Sequence, residues 1–218
     1  MNINTSRMAA VAATLRGTSF FRMPASDKVH NNFEGGLLDH CTHMWLKLED
    51  LTNKLGLQWK DPGSPFIIAM LHDAWKIDAY FYNHDYMCWE SLRGFPEDEG
   101  EASLRVIDSL GIDLTAEERE CIRWVGGFPA QHDEALLEQY ANAMEGNVNI
   151  LWTRVADVSA FIEDCNNNDA RSRCCLCGDP IAVYGNNPWP LAAEGECCDR
   201  CNFTKVLPAR IGGMKDEK

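Results

Sequence analysis

Apolar residues recur at helical intervals over most of the chain. Leu37, Cys41, Met44, Leu48, Leu51 and Leu55 follow one another at spacings of 4, 3, 4, 3 and 4, which marks one face of an α-helix. A first short helix is expected over residues 5–16. "DPGSP" (61–65) reads as a turn, with Ser64 as N-cap and Pro65 as the first helical residue. The next stretch, "PFIIAMLHDAWKIDAY" (65–80), begins as a near-continuous apolar helix. It then sets His72 and Asp73 side by side, with Lys76 one turn later. "GFPEDEG" is an acidic loop that leads into a helix over 100–110, and Thr115 and Glu118 stand at capping-box spacing. A last long helix is expected over 147–164, with Leu151, Val155, Val158 and Ile162 as its apolar face. The polar "NNNDARSR" (166–173) reads as a linker. Strand signals are few before residue 174, and no internal repeat is visible. The expected fold class is all-α: a helical domain over 1–168 and a small C-terminal module over 169–218.

Composition narrows the class. The chain has 218 residues, 45% hydrophobic and 24% charged, enough for a real core. No apolar run approaches the roughly 18–20 residues of a membrane span. The start, "MNINTSRMAAVAATLRGTSFF", lacks the basic-then-apolar pattern of a secretion signal. A cytoplasmic protein with no membrane partner is therefore expected. Residues 1–168 carry 13 Lys+Arg against 26 Asp+Glu, whereas 169–218 carry 7 of each. So acidic a body argues against duplex nucleic acid, whose binding depends on Lys and Arg neutralising phosphates. A small phosphorylated substrate held by a metal remains compatible, and the neutral tail could still touch nucleic acid. The oligomeric state is not legible.

The first chemical constellation is dispersed. His40 lies between Leu37 and Met44, His72 and Asp73 interrupt the apolar third helix, and Asp157 falls beside Ile150 and Phe161. Burying such groups without partners costs several kcal/mol. Two imidazoles and two carboxylates from three helices can instead fill four positions around a divalent ion inside a bundle. Lys76, at i+3 from Asp73, would hold a phosphate or else snorkel over the core. Arg123 and Arg154 are candidate phosphate contacts, since a guanidinium grips two oxygens; Arg154, one turn before Asp157, could equally form an ion pair. Trp75, Tyr80, Tyr82, Trp89 and Trp124 could stack a base, but at helical spacing they read as core and none is assigned to substrate.

"GGLLDH", "LHDAWKI" and "RVADVSA" resemble the H…HD…D pattern of the HD-domain metal-dependent phosphohydrolases. Upstream, "MPASDKVHNNFEGGLLDH" is similar to the segment before the first ligand in bacteriophage HD proteins and HD-type 3′-to-5′ exoribonucleases. The resemblance covers residues 19–165. It implies an HD-domain helical bundle in which His40, His72, Asp73 and Asp157 hold a divalent ion: Mn, Co, Ni, Fe or Mg. It also implies that metal-activated water attacks phosphorus, in the host cytoplasm if the chain is phage-encoded. His30 matches a histidine often seen in the resembling sequences and is a candidate for phosphate or proton work, although Asn31 and Asn32 beside it also suit a simple turn. Two departures stand out. Where phage-type relatives read "GHGE" and "RWH", this chain reads "DEGE" and "RWVGGF". That puts a second metal in doubt and leaves Glu99 as substitute ligand or base, or as part of a solvated acidic loop.

The second constellation is local. Six of the 10 cysteines lie between 174 and 201. Cys174-x2-Cys177, 20 intervening residues and Cys198-x2-Cys201 fit a structural four-thiolate zinc site, with a glycine after the first knuckle for the tight turn. The segment resembles a small zinc-ribbon-like tail found in phage-encoded proteins. The expected function is a metal-dependent phosphohydrolase acting on a nucleotide. The alternatives are an HD-type phosphodiesterase or 3′-to-5′ exonuclease on oligonucleotides or cyclic nucleotides, and a non-catalytic nucleotide- or partner-binding module.

Overall fold

The computed structural model describes residues 5–86, 88–127, 134–170, 173–179, 181 and 185–213. Their order is α1 (Thr5–Arg16), α2 (Gly36–Leu55), α3 (Ser64–Leu71), a single 3-10 turn (Ala74–Lys76), β1 (Tyr80–Asn83), β2 (Cys88–Ser91), α4 (Glu99–Ser109), α5 (Ala116–Trp124), α6 (Glu134–Gly146), α7 (Asn149–Ala170) and α8 (Asp199–Cys201). After α8 a π-turn (Asn202–Val206) runs into α9 (Leu207–Gly213). The described chain is thus mostly helical. The hairpin, paired antiparallel with Tyr80 opposite Ser91, and α6 are elements the periodicity does not announce.

At the centre lies α3. All its residues but Phe66 are buried, as a helix apolar on every side should be, and α1, α2, α5 and α7 pack around it. From α2, Leu37, Cys41, Met44 and Leu48 are fully buried, the leucines and methionine each contributing roughly 1.5–3 kcal/mol of burial. The stripe fades at its end, where Leu55 is exposed. The start of α3 differs from expectation: Gly63 is the N-cap and makes no side-chain cap, while Pro65 sits in the first turn. Ser64 Oγ instead donates to Glu118 Oε1 at 2.8 Å. The capping box at Thr115–Glu118 is formed as expected. Glu118, fully buried, also accepts from Arg7 of α1 (2.8 Å), so one carboxylate joins α1, α3 and α5.

Two expectations fail on α7. The helix continues through Ala170, so most of the expected linker is helical; residues 171–172 lie outside those described. Its expected apolar face is also turned largely outward, with only Val155 half-buried. Leu151, Val158 and Ile162 are exposed, while Ile150, Thr153, Ala156, Ala160 and Asp164 are buried. The cause is the partner: α7 lies along α2, and a stripe of small residues sets how closely two helices can approach. That close approach brings Asp157 and Asp164 to His40.

Candidate functional site

The site forms where α3 stops. A continuous helix through 80 is expected from the apolar run, but the chain leaves the α-helix after Leu71. His72 Nδ1 donates to Ala69 O (2.8 Å), taking a carbonyl that a continuing helix would bond to the backbone N–H four residues on. Ser103 Oγ of α4 donates to His72 O at 2.6 Å. The side chain that ends the helix is thereby fixed in orientation. Asp73 opens the 3-10 turn, whose i and i+3 side chains eclipse, and Lys76 Nζ meets Asp73 Oδ2 at 2.6 Å.

Three ligand atoms gather tightly: those of His40, His72 and Asp157 all lie within 4.8 Å of one another. Asp157 Oδ1 stands 3.2 Å from His40 Nε2 and 3.4 Å from His72 Nε2. Asp73 Oδ2 is 3.4 Å from His72 Nε2 and 3.9 Å from His40 Nε2. All four expected ligands therefore converge. His40 Nδ1 donates to Asp164 Oδ2 at 2.6 Å. Both imidazoles have spent their Nδ1–H, on a carboxylate and on a carbonyl that can only accept. In the neutral rings both Nε2 atoms are bare lone pairs aimed at carboxylate oxygens. Acceptor faces acceptor, and His72 Nε2 is buried without a hydrogen-bond partner. Only a cation resolves that arrangement, either a proton or a metal ion.

The electrostatics show the same need. Burial pushes the His40 and His72 imidazoles down, but Asp157 and Asp164 at His40, and Asp73 and Asp157 at His72, outweigh it and raise both. Burial opposes ionisation of Asp73, yet Lys76 and then His72 and His40 hold its carboxyl down at about 2. Asp157 is likewise held well below the carboxylate range by both histidines, against its burial. With protons alone the cluster is a set of buried charges. The two-nitrogen, two-carboxylate donor set fits a borderline or hard divalent ion, which would take the protons' place.

No family model, curated protein or solved structure matches the chain.

The other expected residues fall at different distances from this centre. His30 is buried, with its ring 5.1 Å from that of His40 and both nitrogens unpartnered. Burial and the positive charges of His40 and Lys76 lower its pKa to about 4, so it is neutral near pH 7. Asn31 holds it there with a left-handed backbone (φ 44), and Gly36 lets α2 pass so close that a Cβ would lie 1.9 Å from Asn31 O. The turn and the site are one feature. Glu99 opens α4 with its surface exposed; partial loss of solvent and then the charge of Asp73 raise its carboxyl above its ordinary value. Lys76 is buried rather than snorkelling. Arg123 is committed elsewhere: it meets Asp98 (2.6 Å) and Glu101 (2.5 Å) and stacks on Trp124. Arg154 donates to Gly126 O at 3.0 Å, which replaces the ion pair with Asp157 suggested by its spacing. Asp164 and His43 escape sequence reading altogether, although His40 and His43 at i and i+3 already share a helix face.

The four-cysteine cluster forms at the expected positions. The sulfurs of Cys174, Cys177, Cys198 and Cys201 lie within 4.8 Å of one another, and Cys174 and Cys201 are buried. Gly178 takes φ 79 and donates to Cys174 O at 2.8 Å, making the tight turn of the first knuckle. Backbone N–H groups of Cys198, Leu176 and Cys177 overcome burial and lower the Cys174 thiol to about 6. Burial and the neighbouring sulfurs push the Cys198 and Cys201 thiols the other way, Cys201 up to about 11, so an ion entering here would have to displace their protons.

Proposed function

We propose that the chain is an HD-type metal-dependent phosphohydrolase whose substrate is a nucleotide. One observation carries this: two imidazole lone pairs face a carboxylate in a buried cluster that Lys76 flanks. His40, His72, Asp73 and Asp157 would hold the divalent ion. When bound, such an ion supplies an acidified water and charge neutralisation on a phosphoryl group. Lys76, tied to Asp73, adds a fixed positive charge at the same place. His30 is neutral, buried and unpartnered, so it can accept a hydrogen bond from a group entering the site. The acidic body favours a small substrate over a polyanion. We assign the four-cysteine cluster a structural zinc, because four thiolates close the coordination shell and Cys174, Ile181, Cys197, Cys201 and Val206 are the only residues of its small buried core among those described.

The test is an assay with Mn²⁺, Co²⁺, Ni²⁺ or Mg²⁺ against nucleoside mono- and triphosphates, cyclic nucleotides and short oligonucleotides, beside Asp73→Asn. Phosphate release from mononucleotides that Asp73→Asn abolishes is the expected result. Activity on oligonucleotides alone would point to the exonuclease, and none at all to the binding module. For the tail, elemental analysis should find one zinc per chain in untreated protein and none in Cys198→Ala; untreated protein without zinc would remove that assignment.

A further inference from the structure

We propose that Asp164 is a positioning residue of the metal centre, holding His40 in the tautomer that leaves Nε2 free for an ion, with His43 holding Asp164 in turn. The proposal rests on the metal-centre reading above. Asp164 lies about two turns beyond Asp157 on α7 and is fully buried. Its Oδ2 accepts from His40 Nδ1 at 2.6 Å and its Oδ1 from His43 Nδ1 at 2.5 Å. One carboxylate therefore spans two histidines a turn apart on α2. A neutral imidazole carries its hydrogen on either nitrogen. Were His40 to carry it on Nε2, its lone pair would be turned from Asp157 and His72 and the centre would lose a ligand. A carboxylate at Nδ1 settles the choice and fixes the ring plane, the usual duty of a group behind a ligand histidine. His43 keeps Asp164 from rotating out of that bond.

Asp39, His43 and Asp164 also bring ligand atoms within 4.8 Å of one another, which raises a second ion as the rival assignment. The distances favour the bridge, because both Asp164 oxygens are already taken by ring nitrogens at hydrogen-bond length.

The experiment is a Mn²⁺ titration of the full chain, followed by the electron paramagnetic resonance signal of free Mn²⁺. A hard ion leaves the thiolate site alone, and zinc content, circular dichroism and Tm are read on the same samples. Asp164→Leu removes both acceptors and should weaken Mn²⁺ binding about 10–100-fold. Asp164→Asn keeps one acceptor oxygen for His40 and should lose less, under about tenfold. A lowered Tm with unchanged Mn²⁺ affinity in Asp164→Leu would mean a purely structural bridge and overturn the proposal. So would equal losses in the two variants, or a second Mn²⁺ per chain that disappears in His43→Leu. If Asp164→Leu fails to fold, Asp164→Asn decides: weakened binding supports the role, wild-type affinity overturns it. Wild-type protein that takes up no Mn²⁺ would overturn the metal centre itself, an outcome separate from the others.

Discussion

Among the described residues, the buried carboxylate clusters around Glu118 and Asp157 are built on opposite terms. Around Glu118 every acceptor meets a donor. Oε1 receives Ser64 Oγ (2.8 Å) and Arg7 Nη1 (2.9 Å), while Oε2 receives the Thr115 backbone N–H (2.8 Å) and Arg7 Nη2 (2.8 Å). Around Asp157 the nearest groups are two imidazole nitrogens that, in the neutral rings, have no hydrogens to give, at 3.2 and 3.4 Å. The first cluster is closed by its own residues and needs nothing further. The second is short of positive charge until a proton or an ion arrives. Counting buried charges does not separate a strut from a site; counting donors against acceptors does.

The largest effect should come from opening the closed cluster. Glu118→Ala leaves Arg7 with only Asp61 and the Asp113 carbonyl, and strips Ser64 and Thr115 of their acceptor. We expect a loss of about 3–5 kcal/mol in unfolding free energy, read from urea midpoints, with activity per folded molecule unchanged. A loss under about 1 kcal/mol would break the contrast. The same residue gives a pH signature. Against its burial, Arg7, Thr115 and Ser64 hold the Glu118 carboxyl below its ordinary value of 4.5. As pH falls through that range the unfolded chain protonates before the folded one. The stabilisation is therefore whole above pH 4.5 and drains away below it. Glu118→Gln should flatten the acid limb of the stability curve; an unchanged limb would place the acid sensitivity elsewhere.

Opening the other cluster should do the reverse. Asp157→Asn can donate an amide hydrogen to one of the bare nitrogens, so metal-free stability should change by about 1 kcal/mol or less. Activity should fall more than about 100-fold, beyond what groups one layer outside a metal usually cost. A variant destabilised as much as Glu118→Ala, yet still active, would make Asp157 a strut like Glu118.

The difference between the clusters was only partly legible in the sequence. The capping box announced Glu118 as a helix start, but not as a three-helix joint, because Arg7 and Ser64 reach it across 111 and 54 residues. His40, His72, Asp73 and Asp157 stood out because ionisable residues interrupt apolar runs, and the helices do bring them together. Asp164 did not stand out. It lies among polar residues at the end of α7, and the α7 stripe that buries it is made of Thr153, Ala156 and Ala160, which a search for large apolar side chains passes over. The break after Leu71 was hidden for a related reason: a histidine side chain and a distant serine end the helix, with no proline or glycine to mark it. The knuckles at Cys174 and Cys198 were legible because their ligands are local.

The smallest effect sharpens the comparison from outside both clusters. Arg154 is one turn from Asp157 in sequence, and proximity alone would enlist it as a phosphate grip. Its guanidinium instead lies over the 126–127 backbone, donating to Gly126 O, and is solvent-exposed. An exposed hydrogen bond of this kind contributes under about 0.5 kcal/mol. Arg154→Ala should therefore keep stability within that margin and activity within about twofold, since its donor is spent on a carbonyl rather than aimed at Asp157. A tenfold rise in KM with kcat unchanged would show that the guanidinium leaves Gly126 for the substrate. The positive charge that the open cluster lacks would then come partly from α7 itself, and the ion would share its task with a side chain the free structure holds in reserve.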